Sequence, residues 1–98
     1  MDVAAATEAL RSQLGTEFGI NATLKFDFGD GNFVYVDGLN APNSITNEDK
    51  DSQCNVKLTF EDFLGILNGS IDAMDAFFGG VLEIDGDMDV AMKIGQIL

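Results

Sequence analysis

The chain has no histidine, no tryptophan, one cysteine, one proline and only five Lys and Arg residues among its 98. Each shortage excludes something. Without histidine there is no Ser-His or Cys-His nucleophile pair and none of the common imidazole metal sites, so no catalytic and no metal-ligating residue is expected, and no cofactor. Cys54 by itself cannot close an intramolecular disulfide. It stands in the alternating run Cys54, Val56, Leu58 and reads as a small core residue in a reducing, cytoplasmic setting. Five cations against seventeen Asp and Glu leave a net charge of -12. That balance is wrong for a phosphate backbone and is repelled by an anionic bilayer, so nucleic acid is not an expected partner and membrane contact is at most transient. No apolar run reaches the length of a membrane span, and Met1-Asp2-Val3-Ala4-Ala5-Ala6 lacks the basic n-region of a secretory signal.

What is present is one continuous domain, residues 1–98, 46% hydrophobic, with no linker or repeat. Asp2 is placed to cap a helix running to about Leu14, with Val3, Ala6, Leu10 and Leu14 on one face and Gly15 as its stop. Ala22, Leu24, Phe26 and Phe28 alternate with polar residues. Gly29-Asp30-Gly31-Asn32 then turns into Phe33-Val34-Tyr35-Val36, which makes a hairpin. The polar run 38–52 is mostly loop with a short strand around Ile45, and another strand follows from Gln53 to Leu58.

The second half is denser in apolar bulk. Thr59 caps a helix whose Phe60, Phe63, Leu64 and Leu67 fall at i, i+3, i+4 and i+7, and Gly69 ends it. Asp72 caps a short helix carrying Met74, Phe77 and Phe78, and Gly79-Gly80 breaks it before a strand from Val81 to Asp85. Asp87 caps a last helix with Met88, Ala91, Met92 and Gly95 on one side and Val90, Ile94, Ile97 and Leu98 on another. Apolar residues on both sides mean that it touches more than one surface. Flexible Met and large Phe around glycine-punctuated elements, with no evident catalytic group, suit holding a greasy ligand rather than transforming one.

These elements assemble as an α+β domain, a mixed sheet with helices on one side. From Asn47 to Ile94 the chain also resembles the sterol carrier protein family of non-specific lipid-transfer domains. The residues that carry the resemblance are Asn47, Asp49, Cys54, Glu61, Asp62, Phe63, Gly69, Ala76, Phe77, Gly80, Gly86, Asp87, Met88, Ala91, Met92 and Lys93. The first half matches only through its hairpin and Val36-Asp37-Gly38. The resemblance implies a five-stranded mixed sheet packed against helices and enclosing an apolar tunnel that takes fatty acid, sterol, acyl-CoA or phospholipid. It also implies that Phe63, Leu67, Met74, Phe77, Phe78, Leu82, Ile84, Met88 and Met92 lie near that cavity. The chain departs from the pattern at Asp75, Gly80, Glu83 and Asp85, where many members carry lysine nearby, and this argues against acyl-CoA. It ends at Gly95-Gln96-Ile97-Leu98 without a Ser-Lys-Leu-type address, so peroxisomal import is not expected.

An empty apolar cavity costs roughly 24 cal/mol per Å³, so a rigid vacant tunnel of about 300 Å³ would cost on the order of 7 kcal/mol. A small domain has only about 5 to 15 kcal/mol in total. The unfilled tunnel is therefore expected to be partly collapsed, hydrated at its mouth or filled by adventitious lipid, and Met74, Met88 and Met92 suit this because unbranched thioethers fill gaps and withdraw when a ligand enters. The alternative from another class is a protein-protein or homodimerisation module that keeps the fold but has lost lipid transfer. An enzyme would need a carboxylate with a Tyr donor, and Asp27, Asp37 and Tyr35 are the candidates. Alternation points both Asp residues to solvent. The oxygen-rich runs 27–32 and 83–89 lack the spacing of an EF-hand loop and read as turns and caps.

Overall fold

In the computed structural model, which describes residues 2–98 with the side chain of Gln96 left aside, α1 runs Val3–Leu14. The Asp2 carboxylate accepts from the Ala5 N–H at 2.8 Å, and Gly15, at φ 68°, closes the helix by donating to the Arg11 carbonyl. β1 (Thr23–Asp27) and β2 (Phe33–Asp37) form the expected hairpin, with Leu24 opposite Val36 and Phe26 opposite Val34. β3 (Ser44–Thr46) adds to the outer edge of β2, and β4 (Cys54–Lys57) lies parallel to β1 on its other side. β5 (Glu83–Gly86) pairs antiparallel with β4, giving a five-stranded mixed sheet in the order β3-β2-β1-β4-β5.

Helices cover one face. α2 (Phe60–Leu67), α3 (Ala73–Phe78), α4 (Met88–Met92) and α5 (Ile94–Ile97) join α1 over a single core built on Leu24, Phe26, Val34, Val36, Cys54 and Val56. Phe63 stands edge-on to both Phe26 and Phe28, with centroids 5.4 and 5.2 Å apart. Among the described residues no helix is long and apolar enough to cross a membrane.

The other face is not simply solvent. The segment 47–53 must travel from the β3 edge to β4, and it does so as a strap across β2 and β1. The Tyr35 hydroxyl donates to the Asp51 carbonyl, the Lys50 ammonium lies over the Tyr35 ring, and Asp49 pairs with Lys25. Lys25 is consequently 7% exposed on what alternation marks as the polar side.

Three expectations need correcting. Leu64 faces solvent while Gly65 and Ile66 are buried, because Ile71 closes directly on Gly65, where an added Cβ would meet the Ile71 Cδ1 at 2.6 Å. The last strand starts at Glu83 rather than Val81, since the N–H groups of both Val81 and Leu82 are taken by the Ala76 carbonyl in the turn that follows α3. The last helix is two pieces. The Lys93 N–H bonds back three residues to the Val90 carbonyl, a tightened turn that separates α4 from α5. Within those pieces Val90, Ala91, Ile94 and Ile97 are buried, whereas Met88 and Met92 are not.

Candidate functional site

The last strand and its two flanking helices form the candidate site. Asp72 caps α3 by accepting from the N–H groups of Met74 and Asp75 at 3.0 and 3.1 Å. Gly79 and Gly80 then turn the chain into β5, whose Ile84 lies opposite Val56 and so faces the helix side. Gly86 passes so close to β4 that only a hydrogen fits there. Its φ is 125°, and an added Cβ would stand 2.5 Å from the Gln53 carbonyl oxygen. The Asp87 N–H donates to that same carbonyl at 2.7 Å, and its carboxylate caps α4 through the Asp89 N–H at 2.8 Å. α4 packs on β4 and β5, and α5 packs on α3, where Gly95 admits the Met74 side chain. β5 is thus a floor with α3 at one end and α4 turning back over it.

This frame sorts the nine residues expected near a cavity. Phe63 and Leu82 are wholly in the core. Leu67, Phe77 and Ile84 are half-buried, packed at its margin, and Met74 is half-buried beside Gly95. Phe78, Met88 and Met92 are 75%, 51% and 51% exposed. Val81, 43% exposed between α3 and β5, belongs with them. Its position after two glycines reads as strand in the sequence, and only the hydrogen bonds that the Val81 and Leu82 N–H groups donate to the Ala76 carbonyl show that it is a turn residue.

Three open clefts are present among the described residues, one of them, of about 360 Å³, along β4 and β5 beside Asn55, Lys57 and Ile84. Another, of about 330 Å³, opens beside Phe28, Leu58 and Val81 at the end of β1 and β4. A third, of about 290 Å³, runs between Ile66, Ile71, Met74 and Leu98 at the junction of α2, α3 and α5. All three open to solvent, and none gathers the nine residues. Leu82 is buried, and Phe77 and Ile84 are half-buried against the core.

The carboxylates weighed for proton transfer do not converge. Asp27 and Asp37 lie at opposite ends of the β1-β2 ladder, and the Tyr35 hydroxyl is taken by the strap. Asp37 is held below the usual carboxylate range, chiefly by the backbone N–H of Asn40 and then by its side-chain amide. Burial, followed by the nearby Asp87 and Asp85 carboxylates, pushes the Cys54 thiol up to about 11.

The model of the SCP-2 sterol transfer family matches residues 8–98. The chain belongs to that family. Within the SCP-2 family, human sterol carrier protein 2 is 38% identical over 63 residues, a stretch that covers 63% of this chain and 12% of that protein. The chain therefore spans only a small part of the length of the curated relatives it matches. Among solved structures, sterol carrier protein 2 like 2 from Aedes aegypti superposes with a TM-score of 0.71 at 21% identity, over 98% of this chain and 95% of that one. The solution structure of the same mosquito protein in palmitated form gives 0.71 at 19% identity, over 99% and 94%. These likenesses establish the SCP-2 fold for the whole chain, including the first half, where the sequence signal is thin.

Proposed function

We propose that this domain binds and carries an apolar lipid without catalysing a reaction on it, in a space that opens between α3, β5 and α4. The observation that carries this reading is the group Phe78, Val81, Met88 and Met92. Four large apolar side chains are exposed on α3, on the turn that follows it and on α4, the segments that bracket β5, and Phe78 stacks on the half-buried Phe77. Such exposure is unfavourable in a domain with an otherwise complete core, and it is offset when a ligand covers it. Met88 and Met92 have the unbranched, adaptable side chains that a withdrawing wall needs. Membership of a sterol transfer family and the palmitated state of the mosquito fold neighbour support the same class of ligand. The free, buried Cys54 fits a reducing compartment such as the cytoplasm.

Native mass spectrometry of the purified protein, with extraction of whatever copurifies, and titration with a fluorescent sterol and a fluorescent acylglycerol test the reading. Saturable binding of one ligand per chain is expected. A ligand-free protein that ignores both probes would overturn it.

A further inference from the structure

We propose that Met88 and Met92 form a paired oxidation site, taken by hydrogen peroxide ahead of the other described sulfurs, and that their sulfoxides weaken the lipid binding inferred above. Four sulfur-bearing residues are described: Cys54, Met74, Met88 and Met92. A cysteine ordinarily reacts first, because its thiolate is the stronger nucleophile. Cys54 is fully buried, and burial followed by the nearby Asp87 and Asp85 carboxylates holds its thiol near 11. About one such thiol in ten thousand is ionised at neutral pH, and the sulfur is out of reach of an oxidant in solvent. Met74 is half-buried with its sulfur lodged against α5, where a Cβ built on Gly95 would stand 3.5 Å from it.

Met88 and Met92 are placed the other way, each 51% exposed. They open and close α4 at i and i+4, so their side chains share one face of the helix. A thioether needs no ionisation to react. Its lone pair attacks one peroxide oxygen, the O–O bond breaks, and the sulfur gives up two electrons to become a sulfoxide. The proton of the attacked oxygen passes to the other oxygen, which leaves as water. The fold tolerates the product. α4 is held by the buried Val90 and Ala91 and by the Asp87 carboxylate on the Asp89 N–H, and none of these contacts uses a methionine side chain. What changes is the exposed apolar group of Phe78, Val81, Met88 and Met92. Two of its four members become polar, and an uncharged lipid that covers them must strip water from two S=O groups. This effect rests on the lipid reading; the order in which the sulfurs oxidise does not.

The test treats the protein with hydrogen peroxide at neutral pH, quenches with free methionine, and maps the digest by mass spectrometry with fragmentation that resolves the three methionines. Met88 and Met92 are expected to convert at comparable rates, about fivefold or more ahead of Met74, with the Cys54 thiol still free to alkylate after denaturation. Oxidation of Met74 as fast as of the pair, or of Cys54 before it, overturns the site. With the pair converted, affinity for an uncharged fluorescent sterol should fall about tenfold at an unchanged urea midpoint, and methionine sulfoxide reductases with a dithiol should restore it. The double variant Met88→Leu with Met92→Leu, whatever affinity it starts from, should lose nothing further on peroxide treatment. A further loss in that variant, a lowered urea midpoint in the oxidised parent, or an unchanged sterol affinity each overturns the effect on binding and leaves lipid binding standing. Absence of sterol binding before peroxide is added overturns the lipid reading and the effect built on it, while the peptide map still decides the site.

Discussion

The Lys25 ammonium lies 2.5 Å from an Asp49 carboxylate oxygen and 5.1 Å from the centre of the Phe33 ring, on the face of the sheet that carries no helix. The pair pins the strap to the middle of the sheet. Asp49 itself is largely in water, so its removal has a modest cost. Asp49→Ala is expected to lower stability by about 1 kcal/mol in urea unfolding, because the buried ammonium keeps only an aromatic partner. Lys25→Met, which removes the buried charge and keeps the stem, should remain within about 0.5 kcal/mol of the parent.

Gly86 should be the least replaceable glycine of the site. An alanine Cβ there meets the Gln53 carbonyl oxygen at 2.5 Å and the Cys54 Cα at 3.1 Å, with the backbone at φ 125°. Gly86→Ala is expected to cost about 3 kcal/mol or more and to loosen β5 from β4. Gly69→Ala, at φ 83° with nothing within 4 Å, provides the comparison and should cost about 1 kcal/mol. Thermal unfolding with backbone amide exchange of residues 83–86 reads both effects.

Core and ligand-facing residues should separate in mutagenesis. Phe63→Ala empties the contact with Phe26 and Phe28 and is expected to lose about 3 to 5 kcal/mol. Met88→Ser and Met92→Ser act on half-exposed side chains and should leave stability within about 0.5 kcal/mol. Each should nevertheless weaken binding of an uncharged lipid probe by about three- to tenfold. Denaturant titration beside the binding curve distinguishes the two classes.

Cys54 gives the domain an alkaline limit. Its thiol ordinarily ionises near 9.0 and in the folded chain near 11, so the unfolded state releases its proton first. Stability from this group is complete below about pH 9 and falls between about pH 9 and 11, by roughly 3 kcal/mol. Cys54→Ser or Cys54→Ala, measured across that range, should flatten the decline. In the acid range the sign reverses for Asp37, whose lowered pKa contributes stability that is lost as the carboxylate is protonated.

Much of this architecture was legible because local chemistry and tertiary packing agree. Asp2, Thr59, Asp72 and Asp87 are all used as caps, the four-residue turn 29–32 closes the hairpin, and Ile45 does carry a short edge strand. The misreadings occur where a distant residue decides. The i+4 spacing of Leu64 cannot reveal that Ile71 folds back on Gly65 and turns the buried stripe by a residue. Alternation cannot bury Lys25; the strap does that from more than twenty positions away. The site was legible as a set of residue types, Met and Phe around glycines. The division of that set into core, margin and exposed side chains depends on how α4 turns back over β5.

The parallel pairing of β1 with β4 also shapes how the domain is made. Leu24 meets Cys54 only after the hairpin, the β3 edge and the strap have all been synthesised, so the central seam of the sheet is a contact of long sequence separation. Closing it early is entropically expensive, and chains dominated by such contacts fold slowly. The last strand and its helices, which hold the side chains proposed to face a lipid, dock onto that seam from the β4 side. Their place in the sheet is thus tied, through β4, to residues from the first third of the chain.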